Sequence, residues 1–257
     1  MRRPDPWYSE RVALEKFPPG SAREALWAWA ATLAALFVLT ALGKAVPALA
    51  QWVGAAAVAA FLWVPSWVLE RRGLEVRDAG FRFDHLWRDL AWGLGACAVV
   101  LPVFTVGFLW FTEALPALPE GLRGVLAPYV NARGPMHGLP ASWDVRLDLL
   151  GRIAGNAAVA LAEEVFYRGW MTAQLEQAWP PKTRLLGVPF GKGALVANLL
   201  FAGGHLLVFA PWRLATFFPG LLFAWLRART GGRVVAGAAC HWLCNVWLLL
   251  LEVAAYG

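Results

Sequence analysis

The sequence predicts an all-α protein, a polytopic bundle of seven to eight transmembrane helices with a polar site inside the membrane. Three observations lead there. Of 257 residues, 59% are hydrophobic and 16% charged, and the mean hydropathy of +0.52 is too high for an ordinary soluble domain. The apolar residues gather in runs close to the roughly 20 residues that cross about 30 Å of hydrocarbon. A few ionisable residues interrupt the later runs at helical spacing, where each charge costs roughly 3 kcal/mol on insertion scales and is usually kept for function.

The runs lie near 25–42, 52–69, 90–111, 147–168, 194–210, 212–227 and 234–253. In the first, "PALA" before Gln51 mimics a cleavage cue, but the polar lead and the apolar run are both too long for a signal peptide, so a retained helix is expected. Pro211 separates the fifth and sixth runs as a turn or kink. Pro102 and Pro219 fall inside spans, where neighbouring helices satisfy the freed carbonyls. "FRFDHLWRDLAW", 81–92, alternates bulky apolar and charged residues and predicts an interfacial amphipathic helix. The loop 112–144, with five prolines and four glycines, forms no domain of its own, so 1–257 reads as one membrane-embedded domain. Trp27, Trp52, Trp67, Trp110 and Trp212 sit near run ends, as interfacial aromatic belts require. No internal repeat supports a duplicated transporter.

The net charge of +6 has a topological reading. Arg2, Arg3, Arg11, Lys16 and Arg23 precede the first span. Arg71, Arg72, Arg77, Arg82 and Arg88 follow the second, Lys182, Arg184 and Lys192 the fourth, and Arg227, Arg229 and Arg233 the sixth. The bias places the N-terminus in the cytoplasm, and an eighth, re-entrant segment would reverse the C-terminus alone. No basic stripe with interleaved aromatics lies outside the apolar runs, so nucleic acid is not expected as a partner. Cys97, Cys240 and Cys244 are an odd number without CxxC spacing, which argues against a disulfide scaffold.

The intramembrane polar residues are Asn156, Glu163, Glu164 and Arg168 in span four, Asn198 and His205 in span five, and His241 and Asn245 in span seven. Glu164 and Arg168 stand four apart in the order that favours an ion pair. Glu163 lies about 100° round the helix and is expected to point elsewhere as the available carboxylate. The competing reading has all three snorkel at the helix end. His241 and Asn245 share a face, and Gly203 and Gly204 beside His205 allow a neighbouring span to approach. A carboxylate and an imidazole to deprotonate water, with donors for the oxyanion, are what hydrolysis requires. Two His and a Glu also suit zinc, although HExxH is absent. Cys240 and Cys244 flank His241 on one face and read as small packing residues. His85 and His137 read as surface residues.

"EEVFYRG", "FAGGH" and "HWLCN" resemble the EExxxR, FxxxH and HxxxN motifs of the CAAX protease and bacteriocin-processing (CPBP, or Abi) family of intramembrane proteases. Their order and helical setting match over roughly 147–249, as does "FFPGLLFAWLRARTGG". The resemblance implies a membrane endopeptidase open to the cytoplasm. Glu163 and His205 would activate water, His241 and Asn245 would stabilise the oxyanion, and Glu164 and Arg168 would support them. The motifs leave open whether the protease is of the glutamate type or metal-dependent; a metal-free mechanism with no cofactor is the favoured expectation, with zinc as the alternative. The substrate would be a membrane protein, lipoprotein or peptide processed at its membrane-embedded or lipidated end, and the lipid bilayer is the other partner. The Ala, Arg and Trp richness suggests a bacterial inner membrane, which makes a prenylated substrate the lesser option and a sorting protease of the myxosortase type a candidate. A proton-coupled transporter and a non-catalytic immunity or scaffold protein are the rival classes for the same polar residues.

Overall fold

The structure, a computed structural model, describes residues 21–126, 143–208 and 210–256. Arg2, Arg3, Arg11, Lys16, His137 and residues 127–142 of the 112–144 loop therefore lie outside the described residues. The described helices in chain order are α1 (Ser21–Ala45), α2 (Pro47–Ala50), α3 (Val53–Glu70), α4 (Leu86–Ala114), α5 (Glu120–Val125), α6 (Trp143–Glu163), α7 (Thr172–Ala178), α8 (Lys192–Leu207), α9 (Phe217–Arg229) and α10 (Val235–Tyr256). An eight-residue π-helix, Glu164–Met171, joins α6 to α7 without a break.

By length and composition, four stretches can cross a membrane: Ala22–Ala45, Pro47–Glu70, Leu86–Ala117 and Val235–Glu252. The remaining expected spans differ for physical reasons. Arg152 and Glu163 and the charges at its start make α6 more polar than the other long helices. α8 has 16 residues, about 24 Å at 1.5 Å per residue, and α9 has 13, about 20 Å. α9 also begins later than the run at 212, because Pro211 opens a short 3₁₀ turn, Pro211–Thr216, in place of α-helix. Pro219 then sits in the first turn of α9, where a missing N–H is harmless.

One sequence expectation is corrected. Residues 81–92 are not a separate interfacial helix: 81–85 are irregular, and the helix that starts at Leu86 runs straight on into the apolar run. The reason is Asp89, which turns inward instead of lying on the surface. It is fully buried and holds Arg233 through Oδ2 to Nε at 2.5 Å and Oδ1 to Nη2 at 2.9 Å, tying the start of α4 to the loop before α10. The all-α class holds, with one short hairpin among the described residues, Thr183–Leu185 against Val188–Phe190, that hydropathy did not indicate. Leu186 and Gly187 both adopt positive φ, 49° and 82°, which is what a two-residue hairpin turn with strand-matched twist demands. Val188 packs under Ala228 and Trp225, and the Trp225 indole donates to the Leu185 carbonyl at 3.1 Å.

Two apolar clusters flank the polar centre. One joins α1, α3, the π-helix and α8 through Leu33, Phe61, Phe166, Trp170 and Phe201. The other joins α4, α9 and α10 through Cys97, Phe223, Leu226, Ala236 and Cys240. On the outside, α4 exposes Val99, Val103, Val106 and Trp110, a surface matched to lipid and mismatched to water. Trp27, Trp52, Trp67 and Trp110 are exposed, as belt residues must be.

Candidate active site

The site begins where α6 becomes a π-helix. Such insertions re-aim the side chains that follow and recur at functional sites. Here the Thr172 hydroxyl donates to the Tyr167 carbonyl five residues back, at 2.7 Å, and every residue from Glu164 to Met171 is buried. Arg168 is 1% exposed and Glu164 0%, so neither snorkels. The predicted ion pair is present, Arg168 Nη1 to Glu164 Oε1 at 3.1 Å.

The placement of Glu163 corrects the sequence expectation in part. Both glutamates face one imidazole, from its two edges. His241 Nδ1 lies 3.0 Å from Glu164 Oε1, and Nε2 lies 3.5 Å from Glu163 Oε2. The turn of the chain between the two acids thus carries them around His241 instead of apart. What separates them is solvent access: the Glu163 side chain keeps 16% exposure and the Glu164 side chain none. Glu163 is the more accessible carboxylate of the two.

Arg168 is held from three sides. Its Nη2 donates to Asn198 Oδ1 at 3.0 Å, and Asn198 Nδ2 donates in turn to the Phe217 carbonyl at 2.8 Å. The guanidinium lies 4.0 Å from the Phe201 ring centroid and 5.4 Å from that of Phe223. The same two rings hold the histidines. Phe223 stacks on His241 at 4.7 Å and 17°, and Phe201 meets His205 and His241 edge-on at 5.4 and 5.9 Å. Asn198, Phe201 and Phe223 thus join α8 and α9 to the π-helix. Asn198 was visible in the sequence as an intramembrane carboxamide, but nothing in its spacing said that Arg168 was its partner.

Two glycines make room for these groups. A Cβ on Gly220 would sit 2.0 Å from Asn198 Oδ1 and 2.6 Å from Arg168 Nη2, and a Cβ on Gly237 would sit 2.8 Å from Glu164 Oε2. Asn198 and Arg168 are both pinned, so neither yields cheaply. Gly220→Ala is expected to destabilise the fold by about 1–3 kcal/mol, the usual cost of overpacking, measured as a lowered melting temperature in detergent. Of the pair beside His205, Gly204 does permit close approach, with Leu33 Cδ1 2.9 Å from a built Cβ, whereas Gly203 has open space.

His205 is 9% exposed, and its Nδ1 lies 3.1 Å from the Phe201 carbonyl and 3.3 Å from that of Ala202. These acceptors favour a proton on Nδ1 and leave Nε2 as the ring's lone-pair nitrogen. Glu163 is within Coulombic reach of His205, but the structure forms no hydrogen bond between them among the described residues. Asn245 lies one turn beyond His241 on α10, half-buried, and makes no hydrogen bond among the described residues. The structure therefore joins Glu163, Glu164, Arg168 and His241 directly, His205 through Phe201, and Asn245 only by its position on the helix.

A zinc ion would need nitrogens and a carboxylate turned toward one point. His241 Nε2 and Glu163 Oε2, 3.5 Å apart, are spaced as two ligands of one ion would be, but among the described residues they belong to no group of three metal-capable donors within 4.8 Å of one another. Among the described residues, the group of three metal-capable side chains with donor atoms all within 4.8 Å of one another is Cys97, Cys240 and Cys244.

A helical bundle with lipid-matched faces and an acid, imidazole and guanidinium site in its interior defines an integral membrane protein built around buried polar chemistry. Residues 146–247 match the family described as type II CAAX prenyl endopeptidase Rce1-like, and this is the stretch that holds the three motifs. That is a protease family, and the matched segment runs from α6 through most of α10, the elements that carry every residue of the site. No curated protein and no solved structure matches the chain.

Proposed function

We propose that the chain is an intramembrane endopeptidase in which Glu163, with His205, activates water, and His241 and Asn245 hold the oxyanion. The observation that carries this reading is the unequal pair of glutamates: Glu164 is sealed in with Arg168 and His241, while Glu163 faces the same imidazole and stays partly exposed. In the reaction, Glu163 takes one proton from water as the oxygen attacks the scissile carbonyl carbon. The carbonyl oxygen becomes an oxyanion, to which His241 and the Asn245 amide donate. Collapse breaks the C–N bond, and the proton on Glu163 passes to the leaving amine. Water is thereby divided between the new carboxyl and amino ends, and Glu163 is again a carboxylate. His205 orders the water through Nε2.

His241 can donate toward an oxyanion while still bonded to Glu164 if both ring nitrogens carry protons, and the two facing carboxylates supply its countercharge. We favour this metal-free mechanism over zinc for that reason, and metal analysis of the purified, active protein tests it. The substrate class proposed is a membrane protein, lipoprotein or peptide cut near its bilayer-embedded or lipidated end, in a bacterial inner membrane. We place the N-terminus in the cytoplasm and count seven spans with α6, α8 and α9 included. Some cations behind the orientation have a second use, since Arg227 pairs with buried Glu176 at 2.9 Å and Arg72 pairs with Glu24. The remaining Lys and Arg still support it.

The direct test compares the termini of membrane proteins in cells that carry the wild type or Glu163→Ala at equal levels. A small set of new termini that depends on Glu163 is the expected result. Identical termini in both strains would overturn the protease reading.

A further inference from the structure

Behind the helix face that carries His241 and Asn245 lies a second cluster that the proposed catalysis does not use. Cys240 and Cys244 stand one turn apart on α10, and α4 brings Cys97 against them. Cys97 Sγ lies 3.3 Å from Cys240 Sγ, and all three sulfurs lie within 4.8 Å of one another. Cys97 and Cys240 are buried and Cys244 is half-buried.

We propose that Cys97, Cys240 and Cys244 form a three-sulfur site for a soft monovalent metal ion, Cu(I). Sulfurs placed trigonally about an ion at metal–sulfur distances of about 2.3 Å stand roughly 4 Å apart, a spacing this cluster reaches with small side-chain rotations. The choice of ion follows from what surrounds it. Cys97, Cys240 and Cys244 belong to the apolar cluster that also holds Trp92, Ala96, Leu101, Phe223 and Leu243. Zinc in protein sites is almost always four-coordinate, and among the described residues no fourth His, Cys, Asp or Glu side chain joins this group of three. Thiolates select soft ions, and Cu(I) accepts three of them without a further ligand. The ion enters already reduced, so no electron moves. Each thiol that binds as thiolate releases its proton, which must leave by the half-open side at Cys244. A bound ion ties α4 to α10 directly behind His241.

The test is anaerobic titration of the full-length protein in detergent with Cu(I), in competition with a chromophoric Cu(I) chelator. It reads metal binding and is independent of the protease reading. One tightly held Cu(I) per chain is expected, with X-ray absorption showing three sulfur neighbours. Cys97→Ser and Cys244→Ser should each weaken binding by more than the roughly 10–100-fold that loss of an outer-shell partner causes. Wild type holding Cu(I) no better than the Cys97→Ser/Cys240→Ser/Cys244→Ser variant would overturn the site. So would nitrogen in the coordination shell, which would place the ion on His205 or His241, or displacement of Cu(I) by equimolar Zn(II). If a variant misfolds, the stoichiometry and absorption spectrum of the wild type decide alone.

Discussion

Glu163→Gln is expected to lower peptide-bond cleavage by about 10²–10⁴-fold, the range that a positioned general base contributes, while leaving the melting temperature close to that of the wild type. The two halves of that result come from one geometry. Gln keeps the shape and can face His241, but it cannot take a proton from water. The side chain is partly exposed and lies 3.5 Å from His241 Nε2, so its removal leaves no sealed charge behind. Glu164→Gln should behave in the opposite way. It strands Arg168, which is buried against Phe201 and Phe223 with Glu164 as its ion-pair partner, and the protein should lose stability before activity can be compared. The contrast between adjacent glutamates is what the measurement must show. The readout is cleavage of a reporter peptide in detergent or vesicles, together with thermal unfolding of the same preparations. Equal activity of Glu163→Gln and wild type would remove Glu163 from the chemistry. An equal loss of stability in both variants would mean that the two acids share one structural task.

The sequence disclosed the ingredients of this site better than their arrangement. Four-residue spacing alone announced the Glu164 and Arg168 pair, because helical geometry is local and short-range. The same rule misled for Glu163, since one extra residue per turn in the π-helix changes which neighbours share a face, and no spacing in "EEVFYRG" marks where α-helix gives way to π-helix. Asn198, Phe201 and Phe223 were equally invisible as partners of Arg168 and the histidines, because contacts between helices depend on packing that one sequence does not encode locally. Asp89 and Arg233 lie far apart in the chain, and both looked like surface charges until the fold brought them together. The long apolar helices were legible from composition, as lipid imposes a uniform demand on every residue facing it. α9 was less so, because its apolar run continues through a 3₁₀ turn that hydropathy does not register.

Arg168→Met is expected to destabilise the protein by about 3–5 kcal/mol, the cost of removing one member of a buried ion pair and leaving the other uncompensated. Met preserves much of the apolar stem between Phe201 and Phe223, so the loss comes mainly from the stranded Glu164 and from Asn198, whose Oδ1 would lose its donor. Glu164 Oε2 already lacks a hydrogen-bond partner among the described residues, which makes the carboxylate dependent on Oε1 and its contacts with Arg168 and His241. Arg168→Lys should recover only part of the stability, because an ammonium cannot reach Glu164 and Asn198 with a planar fork while lying flat on an aromatic face. The double variant Arg168→Met/Glu164→Gln separates charge from packing. It removes both ends of the pair, so it should be more stable than Arg168→Met alone, and its unfolding in detergent can be compared with both singles. A double variant less stable than either single would show that Arg168 acts through shape and stacking, with the ion pair incidental. If it recovers stability but not cleavage, Arg168 and Glu164 hold His241 in register with Glu163 and the fold can stand without them.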